Sequence, residues 1–168
     1  RGAKMKNGKA AREHPEALMR LMKKRLKNKT WRGARPEELI SIIQLNLQPK
    51  QTADPPWRLT VWPKDANDGL SKWSVRYEGL RKLPLVITQG CWLVILDLES
   101  GYDAMGLSEE TKPWFGARFY ASKAMLVELM VEGLVTEECL GPRDAKGGAE
   151  VFVEPNTLPQ GCAWACAI

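Results

Sequence analysis

The chain has 168 residues, 44% of them hydrophobic, without any apolar run of about 18 residues, so it can form one globular domain with a core and we expect no membrane partner. Its four cysteines and one histidine are too few and too poorly spaced for a zinc site or a disulfide framework, which favours a reducing intracellular setting: cytoplasm, nucleus or organelle matrix. The net charge of +5 is uneven, because residues 1–35 contain 13 Lys or Arg against two Glu, a balance of +11 that leaves −6 for residues 36–168.

The basic N-terminal part, residues 1–35, is typical of a protein that contacts a polyanion through one end, with a disordered solubilising tail as the alternative. Residues 1–14 are rich in glycine and lysine without an apolar period, and they predict an extended or disordered arm. The sequence begins at Arg1 rather than Met, which is compatible with a removed targeting peptide or with a piece of a longer chain.

A basic amphipathic helix follows the arm and begins near Pro15, a residue well suited to a helix start. Its apolar residues Leu18, Leu21, Met22 and Leu26 recur at helical spacing, and basic residues occupy the opposite face. That face favours RNA over a membrane surface, with a solvated face above a packed stripe as the alternative. The candidate RNA-binding residues of this part are Lys4, Lys6, Lys9, Arg12, Arg20, Lys23, Lys24, Arg25, Lys27, Lys29, Arg32 and Arg35.

A second helix is predicted over residues 34–47, ARPEELISIIQLNL, because Pro36 lies near its start and Glu37 and Glu38 fall in its first turn. After a proline-rich break, residues 57–62, WRLTVW, have the composition of a strand.

The middle of the chain continues with a loop through residues 63–72, a helix over residues 76–88 and the apolar strand CWLVILDL at residues 91–98. We expect Trp92 to lie in the core.

The last third is predicted to contain a strong helix over residues 122–135 with Gly133 near its end, a loop at residues 141–148, a strand at residues 149–155 and the start of another helix within residues 156–168. Four apolar residues of the strong helix need a surface to bury against. They are Met125, Leu126, Leu129 and Met130.

Four segments resemble motifs of retroviral and retroelement reverse transcriptases. LDLESGYDAMGL, residues 96–107, resembles their first catalytic motif, an apolar strand that ends in Asp-Leu-x-x-Gly-Tyr, and NTLPQGCAWACAI, residues 156–168, resembles their LPQG segment. WRLTVWPKDAN, residues 57–67, resembles a fingers segment, and Pro-Lys at residues 49–50 resembles the finger dipeptide before it. The matching fingers positions are Trp57, Arg58, Val61 and Asn67, with Lys64 where the family has arginine. All four segments lie in the family's order, so the resemblance covers residues 36–168.

This resemblance implies a nucleotide site. Asp97 would hold a catalytic Mg²⁺, with the Leu98 carbonyl near a second ion, since nucleotidyl transfer uses two metal ions held by carboxylates. Tyr102 would lie under the sugar, Gln160 would contact the incoming nucleotide, and Gly161 would let the backbone approach it closely. The side chains implied to lie over the triphosphate are Lys50, Arg58 and Lys64.

Other interpretations of the same residues are open. Asp97 could cap the turn after a strand, Tyr102 could belong to the core, and Gly161 could be a helix-entry glycine. Asp97 and Asp103 also resemble the paired acids of an RNA-dependent RNA polymerase, although the intervening Gly-Tyr and the later LPQG favour the reverse transcriptase.

The sequence departs from the family in its carboxylates. The motif with two adjacent aspartates is absent from these 168 residues, and the only aspartate after Asp103 is Asp144, in a glycine-rich loop. One carboxylate cannot hold two metal ions, so we expect no polymerase activity from these residues alone and no required cofactor. Trp62-Pro63 also replaces the family's acid and breaks the strand there.

We therefore expect an α+β fold: a partial polymerase palm of three or four antiparallel strands packed on helices, preceded by a basic helix and an extended arm. Residues 1–35 would form the basic part and residues 36–168 the partial fingers and palm. The expected function is a non-catalytic RNA-binding or structural component of a ribonucleoprotein assembly, for example an organellar ribosome, with RNA and other protein subunits as partners. The alternatives are the N-terminal half of an active RNA-directed DNA polymerase completed by another chain, and a structural subunit of a large protein complex.

Overall fold

The structure is a computed structural model that describes residues 6–51, 56–69, 85, 87–92, 94, 101–160 and 162. Helices and antiparallel strands are combined in it, which confirms the α+β class. The helices are α1 (Lys9–Glu13), α2 (Pro15–Lys27), α3 (Lys64–Gly69) and α4 (Lys123–Val131). The strands are β1 (Trp31–Gly33), β2 (Gln44–Pro49), β3 (Trp57–Trp62), β4 (Ala117–Ala121) and β5 (Ala149–Pro155).

The five described strands form two antiparallel sheets. β5 is the central strand of the first sheet, where it pairs with β1 on one side and β4 on the other, and β2 and β3 form a separate two-stranded hairpin. Three or four strands were expected from the sequence, and β1 and β4 were not predicted.

The prediction of an extended arm over residues 1–14 is wrong for its described part, because residues 9–13 form α1. The Gly8 amide donates to the carbonyl of Leu45, and the Asn7 side-chain amide donates to the carbonyl of Arg118, each over 2.9 Å or less. Ala11 of α1 is buried in the core. Small alanine side chains let this helix lie close to β2, so the segment is held by packing despite its low hydrophobicity.

The basic helix predicted after the arm is confirmed as α2, with Pro15 in its first turn. Leu18, Met22 and Leu26 are buried as expected, and Met19 is buried with them.

The second predicted helix is wrong. Residues 36–38 form a turn, and the chain then enters β2, in which Leu45 and Leu47 are buried while Gln44 and Asn46 are half-buried. Burial that alternates with every residue is the period of a strand, and it prevails over the helix-start signals of the preceding residues.

The strand predicted over residues 57–62 is confirmed as β3. The following loop is only partly correct, because α3 occupies residues 64–69 within it, and residues 70–72 lie outside the described part of the chain.

The strong helix near residues 122–135 is confirmed as α4, with Leu126 and Leu129 fully buried and Met125 and Met130 packed against the core. Gly133 has a φ of +67°, its amide donates to the Met130 carbonyl, and the Leu134 amide donates to the Leu129 carbonyl. This pair of hydrogen bonds is the Schellman motif that commonly ends a helix at glycine. The predicted loop before β5 and the strand itself are also confirmed.

Two predicted elements lie almost entirely outside the described residues: the helix over residues 76–88 and the strand over residues 91–98, including Asp97. The placement of Trp92 in the core is wrong, since its side chain is 96% exposed. The Cys91 amide donates to the Thr88 carbonyl and Gly90 has a φ of +90°, so a tight turn precedes Trp92. The further helix within residues 156–168 is not formed at the described residues 156–160 and 162, and the remaining residues lie outside the described part of the chain.

A single hydrophobic core joins the described N-terminal residues to the remainder. Met22 of α2 belongs to the same buried cluster as Trp31, Phe119, Leu129 and Val151. Cys91 and Cys139 are free thiols. None of the helices in the described part of the chain is long and apolar enough to cross a lipid bilayer.

Candidate nucleic-acid interface

A cleft lies between α2, the β2–β3 hairpin and the segment that follows β5. It consists of two adjoining cavities of about 360 Å³ and about 120 Å³, which share Arg25, Leu59, Asp103 and Gln160 in their linings. These residues come from distant parts of the sequence, so the cleft exists only in the folded chain.

One wall of the cleft is the end of the β2–β3 hairpin. Pro49 is paired with Trp57, Gln48 is paired with Arg58, and the Lys50 amide donates to the Pro56 carbonyl over 2.7 Å. This register brings Lys50 and Arg58 to the same end of the hairpin, where both line the larger cavity.

The opposite wall is one face of α2. Leu21, Lys24, Arg25 and Asn28 all line the larger cavity, and their spacing of three and four residues places them on one side of a helix.

The floor brings together the two segments that resemble the catalytic motif and the LPQG motif. The Leu158 amide donates to the Met105 carbonyl, and the Leu107 amide donates to the Asn156 carbonyl, both over 2.8 Å. Tyr102 consequently lines the smaller cavity, and Gln160 lines both cavities.

Four of the residues that the resemblance assigns to nucleotide binding therefore line one cleft: Lys50, Arg58, Tyr102 and Gln160. Lys64 lies in α3 and is not part of the described lining of either cavity. The two other assigned residues, Asp97 and Gly161, are outside the described residues.

The charges of the cleft are unequal. Arg25 donates from Nη1 to both carboxylate oxygens of Asp103, over 2.6 Å and 2.7 Å, so this pair is neutral. Lys24, Lys50 and Arg58 have no ion-pair partner among the residues that the structure describes. Among the described residues, the larger cavity is therefore lined by three cations without an ion-pair partner and by one cation that Asp103 neutralises.

Several basic residues predicted to bind RNA instead contact acidic side chains of the protein. Lys23 bonds to Glu128 and, over 2.6 Å, to Glu132, and Lys27 bonds to Glu132 over 3.0 Å. The hydrogen bond that Lys23 donates to Glu128, followed by the one that it donates to Glu132, raises the pKa of Lys23, while the hydrogen bonds from Lys23 and then Lys27 lower the pKa of Glu132. These contacts join α2 to the α4 segment.

The other predicted RNA-binding residues divide into two groups. Arg32 contacts Glu109 and Glu154, Arg35 contacts Glu38, Lys9 contacts Glu13 over 3.8 Å, and Arg12 donates to the carbonyl of Asn7. Within the described part of the chain, no ion pair involves Lys6, Arg20, Lys24 or Lys29. Lys4 is outside the described residues.

Two features of this region were not predicted from the sequence. One is the ion pair between Arg25 and Asp103, and the other is the stacking of His14 on Trp57, whose ring centroids are 4.7 Å apart. No local signal relates these residues, because each pair joins segments that are separate in the sequence.

The described residues contain no group of three or more His, Cys, Asp or Glu side chains that could hold a metal ion. The carboxylate of Asp103, which also resembles a polymerase acid, is hydrogen-bonded to Arg25. The Mg²⁺ site implied by the resemblance therefore depends on Asp97, which is not among the described residues.

Neither the comparison with protein-family models nor the search of curated proteins finds a match for this chain.

Proposed function

We propose that this chain is an RNA-binding unit of reverse transcriptase descent, which holds RNA in its cleft and serves as a non-catalytic component of a ribonucleoprotein assembly, for example an organellar ribosome. The supporting observation is that Lys50, Arg58, Tyr102 and Gln160, which the resemblance assigns to nucleotide binding, line one cleft together. RNA and other protein subunits are its proposed partners.

The chemistry of the cleft suits a phosphate-bearing ligand. Arg58 offers a planar guanidinium that can bond two phosphate oxygens, whereas Lys24 and Lys50 act as point charges. Tyr102 offers an aromatic face, and the Gln160 amide offers both a donor and an acceptor. Contacts to phosphate position a nucleic acid without selecting its sequence, so this binding is electrostatic and salt-dependent.

The two aspartates that follow Tyr102 in the chain, Asp103 and Asp144, favour binding over catalysis. Asp103 is held by Arg25, and Asp144 accepts a hydrogen bond from the Tyr120 hydroxyl over 2.7 Å and from the Gly148 amide over 2.9 Å. The hydrogen bond from Tyr120 is the main cause of the lowered pKa of Asp144. A two-metal reaction requires several carboxylates at one place, and these two are committed to contacts within the protein.

The proposal is tested with a fluorescent single-stranded RNA, whose anisotropy reports binding to the purified chain over a range of salt concentrations. Replacing Lys50 and Arg58 together by alanine removes two phosphate contacts. We expect weaker binding and a log–log salt slope that is shallower by about 1.4, since each contact contributes about 0.7 for a single strand.

The matched control is the double variant Lys123→Ala and Lys146→Ala, which removes the same charge from exposed side chains that do not line the described cleft. This control should bind RNA nearly as well as the wild type. If both double variants lose the same affinity, the RNA responds only to net charge and the cleft is not its site.

A second candidate function is supported by the position of Tyr102 and Gln160 beside the unpaired cations, an arrangement suited to an incoming nucleotide. In this alternative the chain supplies the N-terminal half of an RNA-directed DNA polymerase, Asp97 holds Mg²⁺, and another polypeptide supplies the paired aspartates.

Purification from the native source separates the two functions. Structural RNA without a polypeptide that bears paired aspartates would support the non-catalytic component. A co-purifying polypeptide with those aspartates, together with Mg²⁺-dependent nucleotide incorporation that Asp97→Asn abolishes, would support the polymerase.

A further inference from the structure

A separate cavity, called the second cavity below, lies outside the two cavities of the cleft and adjoins the larger of them at Trp57. It has a volume of about 440 Å³, and its lining includes Glu13, His14, Glu16 and Arg20 as well as Trp57. Trp57 also lines the larger cavity of the cleft, so the two spaces share one aromatic residue.

The two spaces also share one face of α2. Ala17 and Arg20 line the second cavity, whereas Lys24 and Asn28 continue the same face into the cleft. The distance along the helix axis from Ala17 to Asn28 is about 16 Å, at a rise of 1.5 Å per residue. Such a groove accommodates about four or five nucleotides of a stacked strand, at about 3.4 Å for each nucleotide.

The second cavity differs chemically from the cleft. Its aromatic surface consists of the His14 and Trp57 rings, whose planes are inclined by 35°. Among its charged lining residues, two carboxylates, of Glu13 and Glu16, outnumber one guanidinium, of Arg20, whereas cations exceed carboxylates in the cleft. Carboxylates repel phosphates, whereas aromatic rings stack with nucleobases of any sequence. Phosphates therefore favour the cationic cleft, and a base favours the cavity beside it.

We infer that the pocket formed by His14 and Trp57 binds an unpaired nucleobase of a single-stranded nucleic acid whose phosphates lie in the cationic cleft. This inference rests on the proposed function and narrows its ligand to a single strand. A duplex cannot fill the pocket without loss of stacking and pairing, because its bases are already stacked on one another. Neither His14 nor Trp57 is among the residues that the resemblance assigns to nucleotide binding, so this pocket would be an additional base-binding site.

The test compares the anisotropy of a single-stranded pentanucleotide RNA and of a short RNA duplex with the wild type, His14→Ala and His14→Phe. The His14 side chain is exposed, so its replacement is compatible with folding. We expect His14→Ala to weaken single-strand binding about tenfold, a typical loss for one base–aromatic stack. Duplex binding should not change, and His14→Phe should restore single-strand binding because it keeps a ring.

Photo-crosslinking locates the base directly. A pentanucleotide that carries one 4-thiouridine at each position in turn is irradiated with the wild-type protein, and mass spectrometry identifies the attached residue. Attachment to His14 or Trp57 at one position supports the pocket, and attachment only to residues elsewhere overturns it.

Failure of this inference differs from failure of the proposed function. If the wild type binds neither RNA, both are wrong. If the Lys50 and Arg58 double variant loses affinity while His14→Ala binds the single strand as tightly as the wild type, the cleft is a binding site and the base pocket is not.

Discussion

Gly116 is a residue whose missing side chain is required by the fold. A Cβ atom at this position would lie 2.8 Å from the carbonyl oxygen of Ser41 and 2.8 Å from both Cδ atoms of Leu39. The Gly116 carbonyl accepts a hydrogen bond from the Ile43 amide over 2.6 Å, so the two backbones cannot separate without loss of that bond. We expect Gly116→Ala to lower the free energy of unfolding by about 1–3 kcal/mol, as measured by urea denaturation.

Gly106 provides the matched control for this substitution. Among the described residues, its two chain neighbours aside, no atom lies within 4 Å of a Cβ built there, and its φ is not in the left-handed region. Gly106→Ala should therefore leave the free energy of unfolding within about 0.5 kcal/mol of the wild type. Equal losses in the two variants would show that the close approach at Gly116 is not what makes glycine necessary.

The candidate site could be predicted in part at the residue level. Motif resemblance selected Lys50, Arg58, Tyr102 and Gln160, and these residues line one cleft. Resemblance could not select His14, which lies outside the matched segments and acquires its role only by contact with Trp57. Contacts of this kind depend on the fold and leave no periodic pattern in the sequence.

The connection between α2 and the α4 segment depends on pH through Glu132. Lys23 and then Lys27 lower the pKa of Glu132 below its ordinary value of 4.5, so its stabilising contribution is present above pH 4.5 and is lost as the pH falls through the lowered value. Lys23 has a raised pKa, so its contribution is present below its ordinary value of 10.5 and is lost as the pH rises through the raised value.

Glu132→Gln should therefore lower the urea midpoint at pH 7 and make the loss of stability below pH 4.5 shallower than in the wild type. The two proteins should converge in strongly acidic solution, where Glu132 is protonated. Glu110→Gln, at an exposed residue without an ion pair among the described residues, serves as the control. A difference between Glu132→Gln and wild type that is constant at every pH would contradict this account.

Elements were predictable where their signals are local. Gly133 marks the end of α4 because a left-handed C-terminal residue favours glycine whatever lies nearby. The failure at residues 34–47 has the opposite cause: β2 is stabilised by pairing with β3, and Leu45 and Leu47 are buried in a core formed by segments distant in the sequence. Strand formation depends more strongly on such neighbours than helix formation does.

The whole molecule should unfold as one unit, because α2 shares its hydrophobic core with both edge strands of the first sheet, β1 and β4. Met22 is fully buried in that core. We expect Met22→Ala to lower the free energy of unfolding by about 2–5 kcal/mol and to increase hydrogen exchange in β5 as well as in α2.

Arg20→Ala, on the exposed face of the same helix, is the control and should change β5 exchange little. An effect of Met22→Ala confined to α2 would instead show that residues 1–35 form an independent part, as the sequence-based division at residue 35 suggests.

Charge was the whole-chain property that was hardest to interpret from the sequence. The excess of +11 in residues 1–35 suggested an external polyanion. Part of that excess is neutralised within the protein, since Lys23, Arg25 and Arg32 all contact acidic residues from later in the chain. Net charge contains no information on which pairs meet, so the cations left for a ligand emerge only from the folded arrangement.

The contact between Arg25 and Asp103 has a thermodynamic consequence for any polyanion in the cleft. A phosphate that reaches Arg25 must displace a bound carboxylate and not a mobile small ion, so this exchange adds nothing to the entropy of counterion release. The ionic-strength dependence of binding in the cleft then arises from Lys24, Lys50 and Arg58. At Arg25 an incoming group must compete with a carboxylate that already accepts two hydrogen bonds from Nη1.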